Sequence, residues 1–295
     1  MQYTHVSFSD ESNWNSGRFR SIGMISASRS DALSLHHEVC TLLSESRVGE
    51  LKWNKVRTVK YRYAAQKLID SCARALSDGR VRIDILIWDS QDYPYGRRNL
   101  DLGANLQIMY YHLFRNVMSR RWPSDCVWRH VPDEHVGLSW ETLVCCLSVK
   151  DIQNIDELSF GTNEPSSESF GSSIKRLFKI AEITECHAQE VCLTQLADLF
   201  AGMAAFSREK FNDYRSWKRN QGYVSTLFET TANSGSTSGL VEKYHVLSHF
   251  ERKIAQLDFP VALDQTGGLR TLDPSIPLNF WWYEAKSRFD KARPK

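Results

Sequence analysis

The stretch Leu193-Thr-Gln-Leu-Ala-Asp-Leu-Phe-Ala-Gly-Met-Ala-Ala-Phe206 predicts a helix that is packed on nearly every side. Its single charged residue, Asp198, needs a compensating partner, because burying an ionised carboxylate costs several kcal/mol. The chain has no Lys or Arg between Ala181 and Ser207, and Arg208 is the first basic residue beyond the stretch. A bound metal ion is therefore a serious candidate for the compensating charge.

Length and composition indicate a globular protein with a substantial core. The 295 residues predict one large α/β domain, or one domain with a helical appendage. The net charge of +2 gives no support for nucleic-acid binding. The N-terminus lacks a basic region followed by an apolar run, and no segment has the length of a membrane-spanning helix. We expect a cytoplasmic protein with no membrane partner.

The cysteine spacing favours reduced thiols. Seven cysteines are scattered along the chain without a Cys-x-x-Cys pair, which argues against a disulfide framework and a structural zinc site. Cys186-His187 together with Cys192 contains zinc-ligand residue types, but a second pair at suitable spacing is missing. We therefore expect free and mostly buried cysteines.

Strand and helix patterns alternate along the chain, as in α/β proteins. Apolar residues at strand-like spacing predict strands at residues 2–9, 19–27, 81–88, 126–131 and 177–183. Apolar faces at helical spacing predict helices at residues 28–44, 55–76, 100–121, 139–147, 193–206 and 241–257. The fold class is therefore α/β.

Four acidic residues fall at positions that an α/β sheet exposes. Asp10 follows the first strand, Asp133 follows a later strand, Glu50 precedes a helix and Asp198 lies on one. Mg²⁺ and Mn²⁺ prefer oxygen ligands, and two such ions can activate water and stabilise the leaving oxygen of a phosphodiester. The pattern predicts a carboxylate site for Mg²⁺ or Mn²⁺.

Four segments that contain these acids resemble one family, in the family's own order. Phe8-Ser-Asp-Glu-Ser-Asn13 resembles a strand-end Asp-Glu-Ser motif, Glu50-Leu-Lys-Trp53 a Glu-x-Lys element, and Val131-Pro-Asp-Glu134 a later strand-end acid. Thr194-Gln-Leu-Ala-Asp-Leu-Phe-Ala-Gly202 is similar to a Gln-x-Ala-Asp-x-x-Ala-Gly helix. Together they resemble the family of domain of unknown function 3800, over residues 3–207.

This resemblance implies a ribonuclease H-like mixed central sheet flanked by helices, in a domain at residues 1–207 with a helical C-terminal extension at 208–295. It also implies a metal-dependent nuclease for DNA or RNA, with Asp10, Glu50, Asp133 and Asp198 as the catalytic, metal-binding acids. The family's presence in bacteria and mobile elements suggests a defence or toxin role. The chain departs from the family pattern at Glu185–Glu190, which bears on substrate binding.

Each acid also has a structural interpretation. Asp10 could cap a turn, and Glu50 could begin the following helix, where a carboxylate interacts favourably with the helix dipole. Asp198 could be hydrogen-bonded to a backbone group or to Gln195, one helical turn earlier. Asp89 competes with Asp133 as the third acid, because it also follows a strand.

The sequence offers several supporting residues for such a site. Glu11 should point to the opposite face of its strand from Asp10, since side chains alternate along a strand. Lys52 could neutralise a neighbouring carboxylate or contact a phosphate, and a solvated side chain is the default interpretation of any single lysine. The full set of predicted supporting or substrate-binding residues is Glu11, Lys52, Gln195, Asp89 and His135.

Two other functions fit the same residues. The chain could be a non-catalytic module that binds nucleic acid or a protein, with the acids in structural roles. It could also be a hydrolase of small phosphate esters with equivalent metal chemistry. Metal binding separates the first alternative from a nuclease, and substrate length separates the second.

Overall fold

The structure is a computed structural model that describes residues 2–13, 15–91, 102–134, 175–221, 238–263 and 265–284. The predicted helix at 139–147 and the predicted supporting residue His135 lie outside these residues.

The described residues form eight strands, six α-helices and a short 3-10 helix at Trp53–Lys55. Predicted strands and helices inside these residues are confirmed, with boundaries shifted by a few positions. The strands are β1 (His5–Ser12), β2 (Phe19–Ser28), β3 (Val81–Asp89), β4 (Trp128–Pro132), β5 (Ile180–Ile183), β6 (Val261–Ala262), β7 (Arg270–Thr271) and β8 (Leu278–Trp282). The α-helices are α1 (Arg29–Glu45), α2 (Val59–Ser77), α3 (Leu102–Val117), α4 (Cys192–Glu209), α5 (Phe211–Gln221) and α6 (Ser238–Gln256).

Six strands form one mixed sheet in the order β5-β4-β1-β2-β3-β8. Strand β2 runs antiparallel to β1 and β3, while β1 pairs in parallel with β4, β4 with β5, and β3 with β8. Helices cover both faces: α1, α2, α4 and α6 pack on one hydrophobic core and α3 on the other. The predicted α/β class is confirmed.

Helix α4 lies at the centre of the molecule. Every residue from Cys192 to Ser207 is buried, as the apolar stretch predicts. The helix backbone lies against β2 at Gly23, where an added Cβ would be 2.4 Å from the carbonyl oxygen of Ala197. The strand therefore needs glycine here, because any side chain would push the helix off the sheet.

The C-terminal part of the chain completes the sheet. After α5 and α6, which packs against α2, strand β8 pairs in parallel with β3 at the sheet edge. The predicted helical extension at 208–295 is therefore only partly helical, and its last strand belongs to the same sheet as β1. Within the described residues, none of the helices combines the length and apolar character needed to cross a bilayer.

The expectation of free cysteines is wrong for one pair. Cys40 on α1 and Cys192 at the start of α4 form a disulfide with their Cα atoms 5.8 Å apart, across 152 positions of sequence. Cys72 and Cys126 are buried free thiols, and Cys186 is a half-buried one. The spacing rules failed because this pair is brought together by packing of two helices that are distant in sequence.

Reduction of this disulfide should destabilise the metal-free protein by about 2–4 kcal/mol, because the cross-link restricts a long loop of the unfolded chain. Urea denaturation with a chelator, with and without a reductant, measures the difference. Cys40→Ser should reproduce the effect, whereas Cys186→Ser should not. Equal midpoints for oxidised and reduced wild-type protein would contradict the prediction.

Candidate metal centre

Two of the predicted acids lie on neighbouring strands at the same end of the sheet. In the parallel pair of β1 and β4, Ser9 is opposite Pro132, and the Asp133 amide donates to the Ser9 carbonyl at 2.8 Å. Asp10 and Asp133 are therefore adjacent, and both are buried.

Helix α4 carries another predicted acid, Asp198, and brings it to this end by binding the segment at residues 50–53, which leads into the 3-10 helix. Gln195 accepts a hydrogen bond from the Leu51 amide at 2.7 Å, and Asp198 accepts one from the Trp53 amide. Gly202 contacts the Trp53 side chain; an added Cβ would lie 2.3 Å from the Trp53 Cβ. Positions 195, 198 and 202 share one helix face, so this face positions the segment that carries Glu50 and Lys52.

Gln195 also fixes a second segment. Its amide nitrogen donates to the Ala188 carbonyl at 2.7 Å, while its oxygen accepts from Leu51. The side chain has no exposed surface, so both polar ends are satisfied by these backbone groups. Gln195 therefore links the segment at Leu51 to the segment at Ala188, and its supporting role stays a prediction.

Lys52 lies among the acids. Its ammonium is 2.7 Å from an Asp133 carboxylate oxygen and 3.6 Å from Asp10 Oδ2. Burial lowers the pKa of Lys52, but Asp10 and Asp133 raise it more, so the net pKa lies above its usual value. Lys52 therefore stays protonated and supplies one positive charge.

One ammonium does not compensate three buried carboxylates. Burial, followed by the charge of Asp198, raises the pKa of Asp10 well above its usual value despite Lys52. Burial raises the pKa of Asp198 to about 6, although the Trp53 amide and Lys52 both lower it. If all three acids were ionised, three negative charges would face one ammonium, and the raised pKa values of Asp10 and Asp198 reflect this imbalance.

Asp10 shows this excess at the level of one atom. Its Oδ1 accepts a hydrogen bond from the Glu11 amide at 2.7 Å. Its Oδ2 is buried and has no hydrogen-bond partner, since Lys52 at 3.6 Å is too distant to donate one. A buried carboxylate oxygen without a donor is costly unless a cation binds it or the carboxyl group takes up a proton, and the raised pKa of Asp10 reflects this cost.

Glu50 lies at the edge of the centre. Its half-buried carboxylate pairs with Lys55, and its charge contributes to the raised pKa of Asp198, after burial and Asp133. A cavity of about 460 Å³ opens there, large enough for a nucleotide-sized group. Its lining consists of Glu50, Lys52, Asp133, Glu134, His187, Ala188, Gln189 and Glu190.

Glu11 points to the other face of the sheet, as strand alternation predicts. The Tyr110 hydroxyl on α3 donates to its carboxylate and lies 3.0 Å from the Ser9 hydroxyl. Burial raises the pKa of Glu11 to about 7, although the Tyr110 hydrogen bond lowers it. Its supporting role, one residue from Asp10, stays a prediction.

Within the described part of the chain, Asp89 forms no hydrogen bond or ion pair with the residues of the carboxylate centre. Its carboxylate pairs with Arg18 at 2.7 Å and accepts a hydrogen bond from the Gln91 amide at 2.8 Å. Asp89 ends β3, which is separated from β1 by β2. Of the two alternatives for the third acid, the structure places Asp133 beside Asp10 and Lys52.

The cavity contains residues that sequence reasoning did not select. His187 Nδ1 lies 2.8 Å from a Glu134 carboxylate oxygen, and Gln189 and Glu190 complete this wall. The departure at Glu185–Glu190 from the pattern of domain 3800, which the sequence resembles, was the available signal, because residues 187–190 line the cavity. Nothing in the sequence indicated that Glu134 and His187 pair.

Fold and site together define an α/β protein with a carboxylate centre at the ends of adjacent strands. The chain is 34% identical over 293 residues to the uncharacterized protein ORF2' of Methanothermobacter thermautotrophicus, covering 97% of this chain and 96% of the relative. It is 33% identical to ORF2 of the same organism, with the same coverage. The chain belongs to the family of these two proteins. No family model and no solved structure matches it.

Gly202→Ala should destabilise the protein by about 1–3 kcal/mol, because the new methyl group would overlap the Trp53 side chain. Gly49→Ala is the matched control, since a Cβ there meets no atom within 4 Å, and its effect should stay within about 0.5 kcal/mol. Urea denaturation measures both. Equal stabilities of the two variants would show that the α4 face does not bind the segment closely.

Asp198→Asn should stabilise the metal-free protein at pH 8 by about 1–3 kcal/mol. The pKa of Asp198 is about 6 in the folded protein and 3.8 in an ordinary aspartate. The free energy of unfolding of the wild type therefore falls as the pH rises from about 3.8 to about 6. Asparagine cannot ionise, yet its carbonyl can still accept the Trp53 hydrogen bond. The variant's advantage should therefore increase up to about pH 6 and then stay constant.

Urea denaturation in the presence of a chelator, at pH 5 and pH 8, measures this difference. Asp89→Asn serves as the control, because Asp89 is paired with Arg18 outside the centre. A variant at position 198 that is less stable than wild type at pH 8 would contradict the charge excess.

Proposed function

We propose that the protein is a metal-dependent nuclease of ribonuclease H-like fold that hydrolyses phosphodiester bonds of DNA or RNA. In this proposal Asp10, Asp133 and Asp198 bind Mg²⁺ or Mn²⁺, with Glu50 as a further acid at the edge. The observation that carries the proposal is the buried Asp10 Oδ2 without a hydrogen-bond donor, among carboxylates with too little positive charge.

The donor set fits hard divalent cations. All the acids offer oxygen, which Mg²⁺ and Mn²⁺ prefer. Asp10 and Asp198 are each held by a backbone amide, which favours fixed ligand positions. Among the described residues the ligand oxygens of these acids are not grouped within 4.8 Å of one another, so binding of one shared cation would require the Asp133 carboxylate, which pairs with Lys52, to move toward Asp10 and Asp198.

Bound divalent cations would lower the pKa of a coordinated water and neutralise charge on the phosphate. The protein residues would bind the cations and orient the phosphate group of the substrate. Lys52, with 26% of its side chain exposed, has a flexible stem that lets its ammonium move from Asp133 to a phosphate oxygen in the adjoining cavity. The Gln195 contacts keep the two walls of that cavity in place.

Two cations beside the centre favour a polyanionic substrate. The Lys243 ammonium lies 5.3 Å from the centre of the Trp53 ring. Burial lowers the pKa of Lys243, and the neighbouring positive charge of Arg57 lowers it further. Within the described residues no ion pair joins either side chain to a carboxylate. Arg57 Nε donates to the Asn54 carbonyl at 2.8 Å, and in this proposal the positive charges of Lys243 and Arg57 attract phosphate groups of an extended strand.

The sheet supports the ribonuclease H-like assignment. Its centre combines an antiparallel strand, β2, with the parallel pair β1 and β4. Asp10 and Asp133 lie at the ends of that parallel pair. A mixed sheet with helices on both faces is the arrangement that the resemblance to domain 3800 implies.

Asp10→Asn and Asp198→Asn should each lower Mn²⁺-dependent cleavage of oligonucleotides by more than about 100-fold. Loss of a direct ligand should exceed the roughly 10–100-fold cost of losing a residue that only orients a ligand. Asp89→Asn should retain wild-type activity. The assay compares single- and double-stranded DNA and RNA with mononucleotides.

Retained cleavage in both variants would overturn the proposed centre. Binding of oligonucleotides without cleavage would favour the non-catalytic module, and cleavage of mononucleotides alone would favour a small phosphate-ester hydrolase.

Lys243→Ala should reduce by about 1 the slope of log Kd against log salt concentration for oligonucleotide binding, because one phosphate contact is lost. A chelator prevents cleavage during the measurement. Arg252→Ala, an exposed cation on the same helix, should leave the slope unchanged. Identical slopes for wild type and Lys243→Ala would exclude this contact.

A further inference from the structure

A second group of metal-ligand residues lies outside the carboxylate centre. His36 and Cys40 are one helical turn apart on α1, and Cys192 is the first residue of α4. The ligand atoms of the three side chains all lie within 4.8 Å of one another, and His36 Nε2 is 3.5 Å from the Cys40 sulfur. Among the described residues, no other group of three His, Cys, Asp or Glu side chains is this close.

We propose that His36, Cys40 and Cys192 bind Zn²⁺ when the Cys40–Cys192 disulfide is reduced. The site is independent of the proposed nuclease centre and uses a different ligand chemistry. Two thiolates and an imidazole suit Zn²⁺, whereas the oxygen ligands of the carboxylate centre suit Mg²⁺ and Mn²⁺.

Zinc binding takes two steps, reduction of the disulfide and coordination of the ion. A phosphine reductant breaks the sulfur–sulfur bond to give two thiols, while the phosphine is oxidised to its oxide with oxygen from water. Zn²⁺ then forms one bond to each sulfur and releases two protons, and neutral His36 provides the third bond. Three protein ligands leave the fourth position of a tetrahedral ion to water.

The surroundings of these three residues allow a disulfide to be replaced by a bound zinc ion. His36 and Cys40 are half-buried, so solvent ions can reach them. His36 and Cys40 are four residues apart on α1, so their side chains lie on the same face of the helix, toward α4.

Zinc would replace the disulfide as the link between α1 and α4. Cys192 begins the helix whose next turn carries Gln195, so either link holds the start of the helix that positions the carboxylate centre. The pair Cys186-His187, which the sequence offered with Cys192, is not part of this group.

The test is a Co²⁺ titration of the full-length protein, reduced with a phosphine and kept under anaerobic conditions. Cobalt bound by cysteine thiolates produces intense near-ultraviolet charge-transfer absorption, which cobalt bound by carboxylates does not. We expect one thiolate-bound Co²⁺ per chain, displaced by Zn²⁺. The oxidised protein should show no such absorption.

Variants assign the ligands. Cys40→Ser and Cys192→Ser should each remove most of the absorption, and His36→Ala, which keeps both cysteines, should weaken Co²⁺ binding by at least about tenfold. His37→Ala and Cys186→Ser are matched controls that should bind like wild type. The proposal is overturned if reduced wild type lacks the absorption, or if His36→Ala and His37→Ala bind Co²⁺ equally well.

Discussion

Three buried carboxylates, Asp10, Asp133 and Asp198, share a single ammonium group, that of Lys52. The unequal charges explain why burial and mutual repulsion raise the pKa of Asp10 and Asp198, and why Asp10 Oδ2 has no donor. Such a centre lowers the stability of the metal-free protein at neutral pH, because ionised carboxylates are held in a buried place. Perturbed acids gather at functional sites. The proposed binding of divalent cations would relieve the excess of negative charge.

Helix α4 connects this centre to the rest of the fold. One face of the helix lies directly on β2 at Gly23, and another face binds the extended segment at residues 50–53 through Gln195 and Asp198. The helix was predictable in detail from its apolar stretch, as were β1, β2 and β3 from their strand patterns. The role of β8 as an edge strand was not predictable, because its partner β3 lies about two hundred positions earlier and short strands have no pairing signal of their own.

The residues of the centre were easier to predict than their contacts. The positions of Asp10 and Asp198 followed from a strand end and a buried helix, and the face of Glu11 followed from strand alternation. Strand ends alone did not separate Asp133 from Asp89, and the order of the motifs in the resembling family favoured Asp133. Lys52 was recognised as a neutralising residue, but its place among the acids depends on a segment conformation that only packing determines. Tyr110, the Glu134–His187 pair and the Cys40–Cys192 link were missed for the same physical reason. Each joins residues distant in sequence, and single-sequence patterns report local periodicity rather than long-range contact.

Crystals soaked with Mn²⁺ and measured at a wavelength where manganese scatters anomalously would show whether the three acids bind a metal ion. We expect an anomalous peak for a manganese ion bonded to Asp10 Oδ2, with the carboxylates of Asp133 and Asp198 closed around the ion or ions and the Lys52 ammonium moved away from them. Crystals without manganese at these acids, in which Lys52 keeps its ion pairs with Asp133 and Asp10, would contradict this expectation.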